Sequence, residues 1–175
     1  MYGMKEKAKK LYLGYIDGEL SDFEELVRLI TPRFYRMFRH LGADATDAED
    51  LCQQFFLDIH RFNHNYSRER DFMPWAYAVA RNIYFREYGR ANRVKIIPLH
   101  SWIAAKEKPL DEENTISTLL SKLSDEKRIV FELKHFQELK FNEIAEILKI
   151  PVGTIKSRMF AAVSELRLIL EGEKS

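Results

Sequence analysis

The feature that most restricts what this chain can fold into is an interruption. From Val94 to Asn114 the apolar periodicity found elsewhere in the sequence stops, and Pro98, Pro109 and the run Asp111-Glu112-Glu113-Asn114 take its place. A proline lacks the amide that a continuous helix needs. A patternless stretch of about twenty residues is also longer than compact domains usually tolerate between elements. The expectation is two small units, residues 1–93 and 115–175, joined by a flexible linker at 94–114. With 175 residues and 46% hydrophobic content, the chain has enough apolar side chains for a core in each.

Both units have helical spacing, and the low counts of Gly (7) and Pro (5) agree with an all-α protein. Ser21-Asp22-Phe23-Glu24 has the form of a capping box, followed by Phe23, Leu26, Val27, Ile30, Phe34 and Met37 on one face. Pro32 is expected to kink that helix and Gly42 to end it. Thr46-Asp47-Ala48-Glu49 repeats the capping pattern before the stripe Leu51, Phe55, Ile59 and Phe62. Residues 63–71 lack periodicity and read as a loop. Phe72 then opens a helix whose inward stripe is read as Phe72, Trp75, Val79 and Ile83.

Beyond the linker, a short helix carries Leu119, Leu120 and Leu123, and Ser124 opens another that buries Ile129, Val130, Leu133 and Phe136. Asn142 is expected to cap a helix burying Ile144, Ala145 and Leu148. Ile150 to Gly153 leads into the last helix, with Ile155, Met159, Ala162, Leu166 and Leu170 inward. Two helices joined by a tight turn, the second longer and polar outside, form a helix-turn-helix. Thr154, Lys156, Ser157, Arg158 and Phe160 then fall on or beside its free face, the part that enters a major groove in this motif.

Net charge is only +1, but its distribution is uneven. Between Asp17 and Asp58, ten acidic residues face four arginines; between His60 and Lys95, eight basic residues face three acidic ones. The first stretch suits a basic partner surface and the second a polyanion. Within the second, Tyr77, Tyr84, Phe85 and Tyr88 interleave with Arg81, Asn82, Arg86 and Arg90. Rings that stack on bases beside cations that neutralise phosphate are what single-stranded nucleic acid requires.

Other chemistries find little support. Cys52, His60 and His64 could share a helix side, but no fourth ligand stands nearby to complete a structural zinc site, so no metal or other cofactor is expected. No phosphate-binding glycine loop, zinc-protease motif or nucleophile elbow is present, which disfavours an enzyme. One cysteine excludes an internal disulfide and suits a reducing cytosol. Without a signal-peptide pattern or an apolar run of about 18 residues, a cytoplasmic protein with no membrane insertion is expected.

These constellations together resemble a known family. Asp47-Ala48-Glu49-Asp50-Leu51 with Gln53, Gln54, Phe56 and Leu57 resembles the acidic helix of bacterial sigma factors, and Trp75 followed by Ala80-Arg81-Asn82 resembles their next helix. Leu123-Ser124-Asp125-Glu126 through Pro151-Val152-Gly153-Thr154-Ile155-Lys156-Ser157-Arg158 looks like their final DNA-binding domain. The order and length fit the two-domain ECF (extracytoplasmic function) group. The resemblance implies that Asp47, Glu49, Asp50, Gln53 and Gln54 dock on core RNA polymerase. It implies that Asn82 and the loop Tyr66, Ser67, Arg68, Arg70 and Phe72, with Tyr77, Arg81, Tyr84, Phe85 and Arg86, capture the melted −10 strand. It implies that Lys156, Ser157, Arg158 and Phe160 read the −35 duplex, that the linker threads polymerase, and that an anti-sigma factor is a further partner. Ala161 and Val163 stand where relatives often place arginine, so phosphate contacts at the far end of the last helix should be fewer. Residues Asp71-Phe72-Met73-Pro74 also depart from the family. The alternative is a stand-alone helix-turn-helix regulator, which would need neither the acidic nor the aromatic-basic helix.

Overall fold

The computed structural model describes residues 2–91 and 112–172. Among them there are helices and turns but no strand. The order is α1 (Tyr2–Ile16), α2 (Leu20–Leu41), α3 (Ala45–Arg61), a 3-10 turn (Asn63–Asn65), α4 (Phe72–Ala91), α5 (Glu112–Ser121), α6 (Asp125–Phe131), α7 (Phe141–Leu148) and α8 (Val152–Gly172). The all-α expectation holds. Most of the expected linker lies outside the described residues, and its last three positions, Glu112, Glu113 and Asn114, belong instead to α5.

Sequence reading missed α1. Ala8, Leu11, Tyr12 and Tyr15 recur at helical spacing and are buried. Lysines and two glycines scattered among them weaken the pattern. The helix packs on α2 and α4.

Several helix starts differ from expectation. The α2 helix begins at Leu20 after Glu19, and Ser21 is not its cap. It continues through Pro32 for 22 residues, with Thr31 Oγ1 donating to Val27 O at 2.6 Å. Asp44, not Thr46, caps α3, its carboxylate accepting the Asp47 amide at 2.8 Å. Asn142 does not cap α7; the start is Lys140, whose amide donates to the Glu143 carboxylate at 2.6 Å. Gly42 ends α2 as expected, with φ 110 placing it where only glycine is comfortable.

The buried faces also differ in phase. In α4 the inward residues are Phe72, Met73, Ala76, Tyr77, Ala80, Ile83 and Tyr84, while Trp75 and Val79 are only half-buried. The small Ala76 and Ala80 admit neighbours, and the tyrosine hydroxyls find partners inside. Phe62, placed in the α3 stripe, is 38% exposed, and Leu170, placed in the α8 stripe, is 45% exposed. The buried face of α8 is Ile155, Met159 and Ala162, as expected, with Leu166 half-buried against the cluster of Leu120, Leu123 and Ala162. In α7 Ile147 is buried and Ala145 half-buried.

The two helical bodies also pack on each other, α2 against α5 and α6, and α4 against α7. Beyond α6 the chain makes a π-helical turn, Glu132–Phe136, that aims polar side chains at the first body. Gln137 Oε1 accepts from Arg33 Nε and Tyr77 OH, both at 2.6 Å, and Gln137 Nε2 donates to Glu132 Oε1 at 2.6 Å. The other Glu132 oxygen lies 2.8 Å from His40 Nδ1. All of Glu132, His40 and Gln137 are buried, which a carboxylate tolerates only when paired and hydrogen-bonded. At the edge, Arg128 donates to Leu41 O at the end of α2 and to Leu120 O and Leu123 O around the end of α5. One cation thus satisfies the last carbonyls of two helices.

Candidate nucleic-acid and polymerase interfaces

The helix-turn-helix is built as its sequence implies. Lys149 closes α7 in the left-handed region at φ 54, and the chain re-enters helix at Val152, with the Ile155 amide donating to Pro151 O at 3.1 Å. With Ile155 and Met159 inward, Lys156, Ser157 and Phe160 are exposed and Thr154 is half-buried. Phe160, 76% exposed, is the most exposed ring among the described residues. Arg158 differs from expectation: its guanidinium pairs with Glu126 at 2.7 Å and lies partly covered against α6. A Cβ built at Gly153 would meet nothing within 4 Å, so no part of the protein itself requires a glycine there.

The acidic face lies on α3. Asp47, Glu49, Asp50 and Gln53 are exposed and Gln54 half-buried. Asp47, Asp50, Leu51 and Gln54 line an open groove of about 500 Å³ together with Glu87 and Tyr88 of α4. The Tyr88 hydroxyl donates to Asp47, and burial together with that carboxylate raises the phenol well above its ordinary value. Gln54 Nε2 donates to the buried Asp58 at 2.7 Å. At about 100° per residue Glu49 falls on the far edge of the exposed arc from Asp47, so it does not join the groove. Leu57 was missed as a surface residue. It is 57% exposed between Asp50 and Gln53, and its phase, off the Leu51, Phe55, Ile59 stripe, could have shown it.

The aromatic-basic set divides in two. Tyr66, Phe72, Tyr77 and Tyr84 are buried and present no free ring to a base. Tyr66 OH donates to Arg70 O at 2.7 Å, and the Tyr84 hydroxyl donates to Leu41 O. Burial pushes the Tyr66 and Tyr84 phenols up to about 12 and raises Tyr77 further. The reason is packing: Tyr77 lies 5.1 Å from Phe34, and Tyr84 stacks on Tyr88 at 4.9 Å.

What remains outward is a tighter group. Asn82 and Arg86 are exposed, and Arg81 and Phe85 half-buried, on one side of α4. The Arg81 guanidinium sits 5.4 Å from the Phe85 ring centroid and donates to Asn82 Oδ1 at 3.1 Å, while its buried Nε has no partner. Arg86 pairs with Glu87 at 3.0 Å and with Asp58 at 3.5 Å. Ser67, Arg68 and Arg70 are exposed on the preceding loop. Cys52, His60 and His64 do not assemble: the thiol is buried and pushed up to about 12 by burial and then Glu49, and His60 Nδ1 is bonded to the Tyr15 hydroxyl. Among the described residues no His, Cys, Asp or Glu cluster could hold a metal ion, and no helix is long and apolar enough to cross a membrane.

Known proteins are similar to this chain in sequence and fold. The family model for Sigma-70 region 2 matches residues 26–94, and that for Sigma-70, region 4 matches 113–166. The RNA polymerase sigma factor SigZ of Bacillus subtilis is 30% identical over 137 residues, covering 76% of this chain and 78% of its own. The ECF RNA polymerase sigma factor SigW of the same organism is 28% identical over 167 residues, 86% of this chain and 89% of its own. Among solved structures, CnrH in complex with the cytosolic domain of CnrY superposes with a TM-score of 0.75 at 20% identity, over 95% of this chain and 98% of that one. RpoE of Bartonella quintana, solved with the anti-sigma factor NepR, gives 0.69 at 21% identity, over 86% and 97%. Those two likenesses are of fold. With both family regions matched in order and relatives aligned over most of the chain, the chain belongs to the sigma-70 family of RNA polymerase sigma factors, in its ECF group.

Proposed function

We infer that this sigma factor binds core RNA polymerase and directs it to promoters by reading duplex at −35 with α8 and holding melted strand at −10 with α4 and the loop before it. The observation that carries this is the presence, on one chain, of two outward faces of different character. Lys156, Ser157 and Phe160 suit a major groove. Asn82 with the Arg81–Phe85 pair suits an unpaired base and its phosphate. The groove of Asp47, Asp50 and Gln54 is the polymerase-docking face, with the exposed Leu57 on the same helix. The N-terminal unit, 1–93, carries docking and strand capture, and the C-terminal unit, 115–175, with α5 leading into it, carries duplex recognition. Relatives captured with an anti-sigma factor support a further partner of that kind.

Run-off transcription with core polymerase on a genomic promoter library tests the reading. Promoter-specific products that depend on this chain are expected. Tight duplex binding with no specific product would instead identify a stand-alone regulator.

A further inference from the structure

The first helix has no role in the reading above and lies outside the region 2 match at 26–94. It nevertheless touches the loop at 66–71 from two sides. Inside, the fully buried Tyr12 ring lies 5.1 Å from Tyr66, edge to face, 4.5 Å from Phe72 and 5.5 Å from Trp75. The two residues that bound the loop therefore share one neighbour. Tyr12 OH also donates to Ile59 O, 3.1 Å away in the last turn of α3, which fixes the ring in place. Tyr66 closes the loop on itself through Arg70 O. Outside, in the turn after α1, both Asp17 oxygens accept from Arg68 Nη2, at 2.8 and 2.6 Å. That hydrogen bond and charge hold the Asp17 carboxyl below its ordinary value.

A short surface loop is ordinarily among the more mobile parts of a fold. Here its ends are set by a rigid aromatic cluster and one of its cations is aimed by a carboxylate. Recognition that depends on geometry is sensitive to such support even when the supporting groups lie outside the contact.

We propose that α1 is a positioning element for strand capture: Tyr12 fixes where the loop begins and ends, and Asp17 fixes where Arg68 points. This rests on the loop and Asn82 being the −10 site. It predicts that discrimination between −10 sequences depends on two side chains beyond the strand-contacting face.

The test is run-off transcription by the full chain with core polymerase on promoter pairs differing at one −10 base, read as the ratio of products. Asp17→Asn lies on the exposed surface and leaves the core intact. It is expected to lower the ratio about fivefold, on the order of a weak base contact, with Asp17→Glu retaining most of it. Tyr12→Leu is expected to lower it about tenfold and Tyr12→Phe much less, since the ring is kept. A merely structural role would lower both products together and leave their ratio unchanged. Should Asn82→Ala abolish discrimination while Asp17→Asn and a folded Tyr12→Leu preserve it, the positioning role is overturned and strand capture stands. Should Asn82→Ala also preserve it, the −10 assignment itself fails. If Tyr12→Leu does not fold, Asp17→Asn decides alone.

Discussion

Arg158 shows how one partner can redirect a recognition side chain. Counting from Ile155 places it beside the free face, yet it turns to Glu126 on another helix, a contact that spacing alone cannot reveal. Glu126 is 69% exposed, so the pair contributes little to stability, and Glu126→Gln should leave the urea midpoint nearly unchanged. The same change frees a cation beside the face proposed to read −35 duplex. Binding of −35 duplex at low salt is expected to strengthen severalfold, with the salt slope steeper by about one unit; an unchanged slope would mean Arg158 stays off phosphate. Gly153→Ala separates fold from function more directly. With open space around it and helical neighbours, alanine should stabilise the free protein by about 0.5–1 kcal/mol, seen as a higher unfolding midpoint. A loss of duplex affinity alongside that gain would locate a close approach of the DNA backbone. The buried phenols give a pH signature. Folded values near 12 for Tyr66 and Tyr84, against 10.0 when free, mean that their protonated forms are favoured by folding. Their stabilisation is whole below pH 10 and is lost as pH rises toward 12, so phenolate absorbance from these two should appear together with loss of helix. Ionisation of every tyrosine near pH 10 with helix intact would contradict it.

At the scale of elements, α3 and α4 contrast in how far sequence can be read. The buried face of α3 follows from its aliphatic and phenylalanine spacing, and only Phe62 at the end was misplaced. In α4 nearly every residue outside the arginines is apolar or aromatic, so periodicity does not fix its phase. What fixes it is the pair of alanines and the interior acceptors for Tyr77 and Tyr84, which come from segments distant in sequence. The outward face of α8, proposed to read duplex, was legible because Pro151 and the inward Ile155 and Met159 set its phase locally. The outward face of α4, proposed to capture strand, was legible only in part. Asn82, Arg81, Phe85 and Arg86 remain outward, while four rings assigned to it belong to the core. Phe85→Ala should therefore impair promoter opening, followed by permanganate reactivity, while changing stability by less than the 3–5 kcal/mol of a fully buried ring. Normal opening would return Phe85 to a packing role. On α3, Asp50→Arg is expected to abolish most co-purification with core polymerase and Glu49→Arg to affect it less, because Glu49 lies away from the groove. Equal effects would mean that bulk charge, not the groove, guides docking.

Among the described residues, the two bodies pack on each other. A compact chain of this length has a radius of gyration of about 16 Å and so a diameter near 40 Å. The −35 and −10 elements are named for positions about 25 base pairs apart, or about 85 Å of duplex. The two bodies must therefore part before one chain can hold both elements, and about twenty extended residues reach about 70 Å, enough to allow it. Removing one member of the buried His40–Glu132 pair costs about 3–5 kcal/mol in comparable sites. Glu132→Ala should shift the free protein toward separated bodies, raising the radius of gyration in small-angle scattering while helix content is kept. No change in radius would show that the bodies hold together without this network. The kind of groups that meet where α2 and α4 face the π-helical turn has its own consequence. Glutamine, histidine, glutamate, arginine and a tyrosine hydroxyl can each exchange a protein partner for water when they separate. Yet apolar residues of both bodies, Phe34 and Tyr77 of the first and Leu133 and Ile144 of the second among them, belong to one buried cluster, so parting the bodies also bares apolar surface and is favoured only where a partner covers it.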